Sequence, residues 1–94
     1  AATGLELAAP WPNPVRTLAQ LGFSLPRAGT LDLVVHDLQG RRVRTLAGGP
    51  RAAGRYTMGW DLRDDGGRRV APGLYLVRLS GEAGACTRRV VVLP

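Results

Sequence analysis

The sequence predicts an all-β domain, an antiparallel sandwich of six to seven short strands, and three observations carry that expectation. Apolar residues recur with period two instead of 3.6. Thirteen Gly and seven Pro in 94 residues punctuate the chain at the intervals expected of short strands. No stretch carries the apolar stripe of an amphipathic helix. A hydrophobic content of 45% suffices for one core, and a chain of this length is one domain's worth.

Leu5-Glu6-Leu7 alternates and reads as a short first strand, or as one donated to a neighbour. Pro10-Trp11-Pro12-Asn13-Pro14 then excludes helix and central strand alike, because proline lacks the N–H that either requires. Residues 1–14 are therefore expected as an extended Pro-rich segment ahead of a β-sandwich over residues 15–94. From Thr17 the alternation is regular, with Ala19, Leu21, Phe23 and Leu25 on one face, and Pro26 ends it. Thr30 to Asp37 repeats the pattern with Leu31, Leu33 and Val35 inward. Leu38 to Arg41 is a tight turn in which Gly40 supplies positive φ. Arg42 to Leu46 returns as its partner, and the three-residue offset from Val43 to Leu46 predicts a bulge or a strand end between them. The glycines and proline of Ala47 to Gly54 read as a loop. Tyr56, Met58 and Trp60 share the inner face of the next strand, and Leu62 to Pro72 is a turn region. Gly73 to Ser80 and Ala85 to Leu93 close the chain as a hairpin about Gly81 to Gly84. Strands of this number and spacing fit an immunoglobulin-like sandwich.

Composition excludes several functions. A single His and a single Cys leave nothing to build a catalytic triad, a zinc site or an internal disulfide, so an enzyme is not expected. No apolar run approaches the roughly 18 residues that span a bilayer, and no signal peptide opens the sequence. All thirteen basic residues are Arg, against seven acidic, giving a net charge of +6. They are scattered in pairs, Arg41-Arg42, Arg68-Arg69 and Arg88-Arg89, without the interleaved aromatics of a nucleic-acid surface. They are read as solvated strand faces and protected edges. His36 reads as a surface or edge residue and Cys86 as a small buried hydrophobe. Asp61, Asp64 and Asp65 offer part of a calcium loop. No bidentate Glu follows, however, and Asp-Gly is itself a turn signature, so no cofactor is expected. Trp60 is assigned to the core with Tyr56 and Met58. Trp11 is assigned to covering an open end of the sandwich, with exposure for a partner as the alternative.

One ordered series of motifs carries a resemblance. Trp11-Pro12-Asn13-Pro14 is followed by Phe23-Ser24-Leu25-Pro26 and by Leu31 to Arg41. Gly54-Arg55-Tyr56, Gly59-Trp60-Asp61, Val70-Ala71-Pro72-Gly73-Leu74-Tyr75 and Arg88-Arg89-Val90-Val91-Val92-Leu93 complete the series. This pattern resembles the C-terminal sorting domain of type IX secretion cargo and the immunoglobulin-like domain of flagellar hook-capping proteins, over residues 8–94. Departures are Val15 after the Pro-Asn-Pro, Arg in place of a terminal Lys, and Leu62 where an Asp-Gly is usual. The resemblance implies an extracellular or cell-surface, non-catalytic domain read by a protein partner of the export machinery. The Gly73-Leu74-Tyr75 hairpin strand and the terminal Arg88 to Leu93 strand would carry that recognition, with Gly73, Leu74, Tyr75, Arg88, Arg89 and Val90 as the site residues; Trp11 joins them where it is exposed. The alternative is a structural subunit that assembles into an extracellular fibre by β-strand addition through Leu5 to Pro14. An accessory binding module ranks behind both, since it would need an aromatic platform.

Overall fold

The computed structural model describes residues 5–94, and among them seven strands form two antiparallel sheets. The strands are β1 (Glu6–Leu7), β2 (Ala19–Leu25), β3 (Gly29–His36), β4 (Arg42–Arg51), β5 (Gly54–Trp60), β6 (Gly73–Gly81) and β7 (Gly84–Val92). One sheet runs β1-β2-β5 and the other β4-β3-β6-β7. The sandwich is all-β, as the period-two alternation requires.

The inner faces match the sequence pattern. Ala19, Leu21, Phe23 and Leu25 of β2 are buried, as are Leu31, Leu33 and Val35 of β3. Val77, Leu79, Val90 and Val92 complete the facing layer. Trp60 is wholly buried and meets Tyr75 edge-on, with ring centroids 5.6 Å apart, while its indole N–H donates to the Arg63 carbonyl at 2.9 Å. Tyr56 stacks instead on Phe23 at 5.3 Å. Full burial of one such side chain is worth about 1.5–3 kcal/mol, whereas an exposed ion pair contributes about 0–1 kcal/mol. The core therefore outweighs the surface pairs Arg41–Asp37, Arg42–Asp65 and Arg44–Asp61.

Four expectations need correction. The segment from Ala47 is not a loop, because β4 continues to Arg51 and pairs Gly49 with Leu31 and Arg51 with Gly29. Its Gly and Pro lie in an edge strand, where a prolyl nitrogen facing away from the ladder removes no bond. The expected bulge is two register shifts, which leave Val43 and Leu46 without partners on β3. His36 lies on an inner strand of its sheet, not at an edge, and its Nδ1 is buried without a hydrogen-bond partner. Trp11 does not cover an end of the sandwich: it is 73% exposed, and only its main chain is engaged, pairing with Gln20. Cys86 packs half-buried against the core, with its Sγ 2.9 Å from the Leu5 carbonyl.

The turns carry the glycines that their geometry demands. Gly40 (φ 82) closes the β3–β4 hairpin and Gly84 (φ 131) the β6–β7 hairpin. Leu62 adopts φ 62 without being glycine, yet it is fully buried. The Asp61 carboxylate accepts the Arg63 N–H at 3.2 Å and tightens this turn, which drives the Leu62 side chain inward.

Leu62→Gly tests which effect wins there. Relief of the left-handed backbone returns roughly 1–2 kcal/mol, while loss of a buried leucine costs about 2–5 kcal/mol. The variant is expected to unfold at lower urea than the parent with an unchanged m-value. A higher midpoint would show that backbone strain dominates.

Candidate functional site

The two strand segments expected to meet a partner come together where β6 begins and β7 ends, while Trp11 pairs with Gln20 of the other sheet. Gly73, Leu74 and Tyr75 pair with Val92, Val91 and Val90, so the two segments are neighbours through the ladder. Strand alternation then splits them. Tyr75 is 8% exposed and Val90 is wholly buried, so neither side chain is available on the folded domain, which corrects the expectation for both. Gly73 and Arg89 are exposed and Leu74 half-buried. The outer face also holds Leu76, which pairs with Arg89, and Val91, 37% exposed. Val91 falls within the Arg88 to Leu93 strand expected to carry recognition, whereas Leu76 was missed by reading β6 as the consecutive string Gly73-Leu74-Tyr75. The period-two rule would have found it as the outward neighbour of Leu74 on the same strand.

The edge of β7 is not open. The Asn13 side-chain amide donates to the Arg89 carbonyl at 3.1 Å, and its oxygen accepts the Val91 N–H at 2.9 Å. Val15 continues this seal: its N–H donates to the Val91 carbonyl and its carbonyl accepts the Leu93 N–H, both at 2.8 Å. Arg88 faces the seam between the sheets, where its Nε donates to the Leu7 carbonyl at 2.7 Å. Arg88 is thus a structural clasp as well as a surface cation. A shallow groove of about 890 Å³ runs beside this seam, lined in part by Leu5, Leu7, Phe23, Tyr56, Cys86 and Arg88.

A second concavity, of about 410 Å³, lies beside the β3–β4 turn and includes Asp37, Arg41, Arg42, Arg68, Arg69 and Tyr75. Burial pushes the Asp37 carboxyl up, but the Arg41 N–H, the Arg41 guanidinium and the Gln39 N–H outweigh it and hold the group below its usual value. Burial, reinforced by the Asp37 charge, pushes the Tyr75 phenol up, and its hydroxyl donates to the Ala71 carbonyl at 2.6 Å. That bond is the tyrosine corner of immunoglobulin-like folds. The three calcium candidates have separate partners. Asp61 accepts from Arg44 and Arg63, Asp64 accepts the Arg68 N–H, and Asp65 accepts the Thr45 N–H and pairs with Arg42. Among the described residues no three His, Cys, Asp or Glu side chains group as a metal site.

The family model for the FlgD Ig-like domain matches residues 17–85. Among solved structures, dimeric latent PorU from Porphyromonas gingivalis aligns with a TM-score of 0.74 at 21% identity, over 95% of this chain and 9% of that one. The alkylpurine DNA glycosylase AlkC of Pseudomonas fluorescens, bound to DNA containing an abasic site analog, aligns with a TM-score of 0.62 at 15% identity. That alignment covers 100% of this chain and 32% of the glycosylase. The sandwich thus corresponds to a fraction of each of these proteins, and at these identities the likeness is one of fold. No curated protein matches the sequence.

Two outcomes follow from this geometry. Asn13→Ala removes both side-chain bonds to β7 and is expected to cost about 1–3 kcal/mol, with faster hydrogen exchange at the Val91 amide; unchanged exchange there would show that the seal is dispensable. The pH profile has two flanks. Asp37, whose pKa is lowered by folding, stabilises above the unfolded carboxylate value of about 3.9 and loses that contribution as pH falls through its folded pKa. Tyr75, whose pKa is raised, contributes fully below about pH 10 and loses its contribution as pH rises from there toward its folded pKa. In thermal melts across pH, Tyr75→Phe is expected to flatten the alkaline flank and leave the acid flank in place.

Proposed function

This chain belongs to the FlgD Ig-like domain family, and on that premise we propose that it is a non-enzymatic secretion-sorting or cell-surface attachment domain working outside the cell. One observation carries the reading. The outer face of the β6–β7 hairpin presents Leu74, Leu76, Arg89 and Val91 together, half-buried or exposed, on two strands fixed by a nine-rung ladder. A partner reading this face meets apolar contact beside a guanidinium, a composition common where proteins recognise one another. The edge sealed by Asn13 and Val15 directs recognition to the face of β7 and away from its main chain. The likeness to part of PorU supports the sandwich as a module of larger proteins.

Assembly into a fibre by donation of Leu5 to Pro14 finds no support in the arrangement of that segment. β1 pairs with β2 of its own chain, Leu5 and Leu7 lie in the core, and Asn13 is bonded to β7. Donation would first have to break these contacts.

The test is export of a reporter fused ahead of the domain, in a bacterium carrying type IX secretion machinery. The parent domain is expected to bring the reporter to the cell surface. Arg89→Glu combined with Val91→Asp changes only outward side chains, at a stability cost within about 0.5 kcal/mol per site, and is expected to leave the folded fusion in the periplasm. A parent fusion that folds but stays inside would overturn the reading.

A further inference from the structure

Among the described residues the two sheets have four edge strands, and three of them have outward main-chain groups bonded within the chain. The seal on β7 is described above. On β1, the Leu5 and Leu7 carbonyls accept from Cys86 and Arg88. On β4, the Val43 carbonyl accepts the Asp65 N–H at 2.9 Å, the Thr45 N–H donates to the Asp65 carboxylate at 3.0 Å, and Pro50 has no N–H to present. On β5 no such bond occurs among the described residues. Alternation along β2 fixes which groups point where: Gly22 and Gln20 bond toward the β1 side, so Ala19, Leu21, Phe23 and Leu25 bond toward β5. Their partners are Trp60, Met58, Tyr56 and Gly54. The N–H and C=O groups of Arg55, Thr57 and Gly59 therefore point outward, and among the described residues none has a protein partner. All three residues are exposed, while Tyr56 and Met58 between them are half-buried and pack against the core.

We propose that β5 is a homotypic docking edge, which pairs antiparallel with β5 of a second copy about a two-fold axis through Thr57. Three features of the edge are self-complementary. A register centred on Thr57 sets Thr57 against Thr57 and Arg55 against Gly59, so all six outward groups on each copy find partners. Facing threonines are a favourable cross-strand pair, and no like charges stand directly opposite. The edge is also polar along its length, with Arg55 near its start and Asp61 just past its end. Antiparallel pairing therefore brings each Arg55 diagonal to the Asp61 of the other copy, twice in the pair. A single extended peptide would satisfy the same main-chain groups, but it has no built-in reason to match this charge order. The joint is isologous and closes at two copies, so it produces a pair and no fibre. It merges the two three-stranded sheets into one of six strands and is independent of the sorting role.

Sedimentation equilibrium of the full chain from micromolar to millimolar concentration, with amide hydrogen exchange on the same samples, tests the pairing. The parent is expected to show a reversible monomer–dimer equilibrium, with protection at Arg55, Thr57 and Gly59 rising with concentration. Thr57→Pro leaves the β2 ladder intact, because this N–H faces outward. It is expected to weaken the dimer at least tenfold, about 1.4 kcal/mol or more. Arg55→Glu, which leaves the edge main chain untouched, is expected to weaken it by reversing the charge beside Asp61. A parent that remains monomeric at millimolar concentration, or a dimer whose β5 amides gain no protection, overturns the proposal. So does a folded Thr57→Pro variant that pairs as tightly as the parent.

Discussion

The seam between β1 and β7 is the joint on which the rest of the sandwich depends. A sheet of three strands and a sheet of four, each apolar on one face, must be held together at their edges as well as through their core. Here the segment after β1 crosses from one sheet to the other. It hydrogen-bonds to β2 through Ala8 and Trp11, and to β7 through Asn13 and Val15. The three prolines between Pro10 and Pro14 are consistent with that route, since an extended crossing strand needs few N–H groups of its own. Arg88 completes the joint from the other side by reaching a β1 carbonyl. One short segment thus satisfies main-chain groups on both sheets, and unsatisfied buried groups of that kind would each cost about 1–3 kcal/mol.

That joint also shapes what a partner can touch. With the main chain of β7 engaged between Arg89 and Leu93, the accessible surface there is the outward face, where side chains discriminate. The same economy appears at β4, where Asp65 bonds to Thr45 and Val43 at once. Acidic residues that suggest a metal loop in one dimension are turn and edge fasteners in three. Arginines follow suit: Arg44 ties β4 to the Asp61 turn, and Arg63 donates to Gly67 within its own loop. The positive charge of the domain is therefore partly structural, distributed by the need to close turns.

Legibility in the sequence followed the strength of the local signal. β2, β3 and β5 announce themselves because their inner faces are dominated by large side chains, so that a slip of one residue would expose Leu21, Leu33 or Trp60 to water. β4 hides its second half because Gly48, Gly49 and Pro50 carry a loop composition, and only the pairing with β3 makes them strand. Candidate site residues were half legible for a related reason. The hairpin of β6 and β7 was visible, but a contiguous string of residues on a strand serves two faces, and Tyr75 and Val90 belong to the inner one. Leu62 was visible as a departure at a position where glycine is usual, and its φ of 62° supplies the reason that glycine fits there.

The sequence by itself determined the class of fold, the inward residues of β2, β3 and β5 and the hairpin turns, because alternation and positive-φ glycines are local properties of the chain. Tertiary structure alone decided which edges are sealed and which is left open. Asn13 and Val91 lie 78 residues apart, as do side chain and main chain at either end of their hydrogen bond. Leu7 and Arg88 lie 81 apart. No local pattern encodes such partners, because a main-chain group becomes satisfied only when a distant segment is brought beside it.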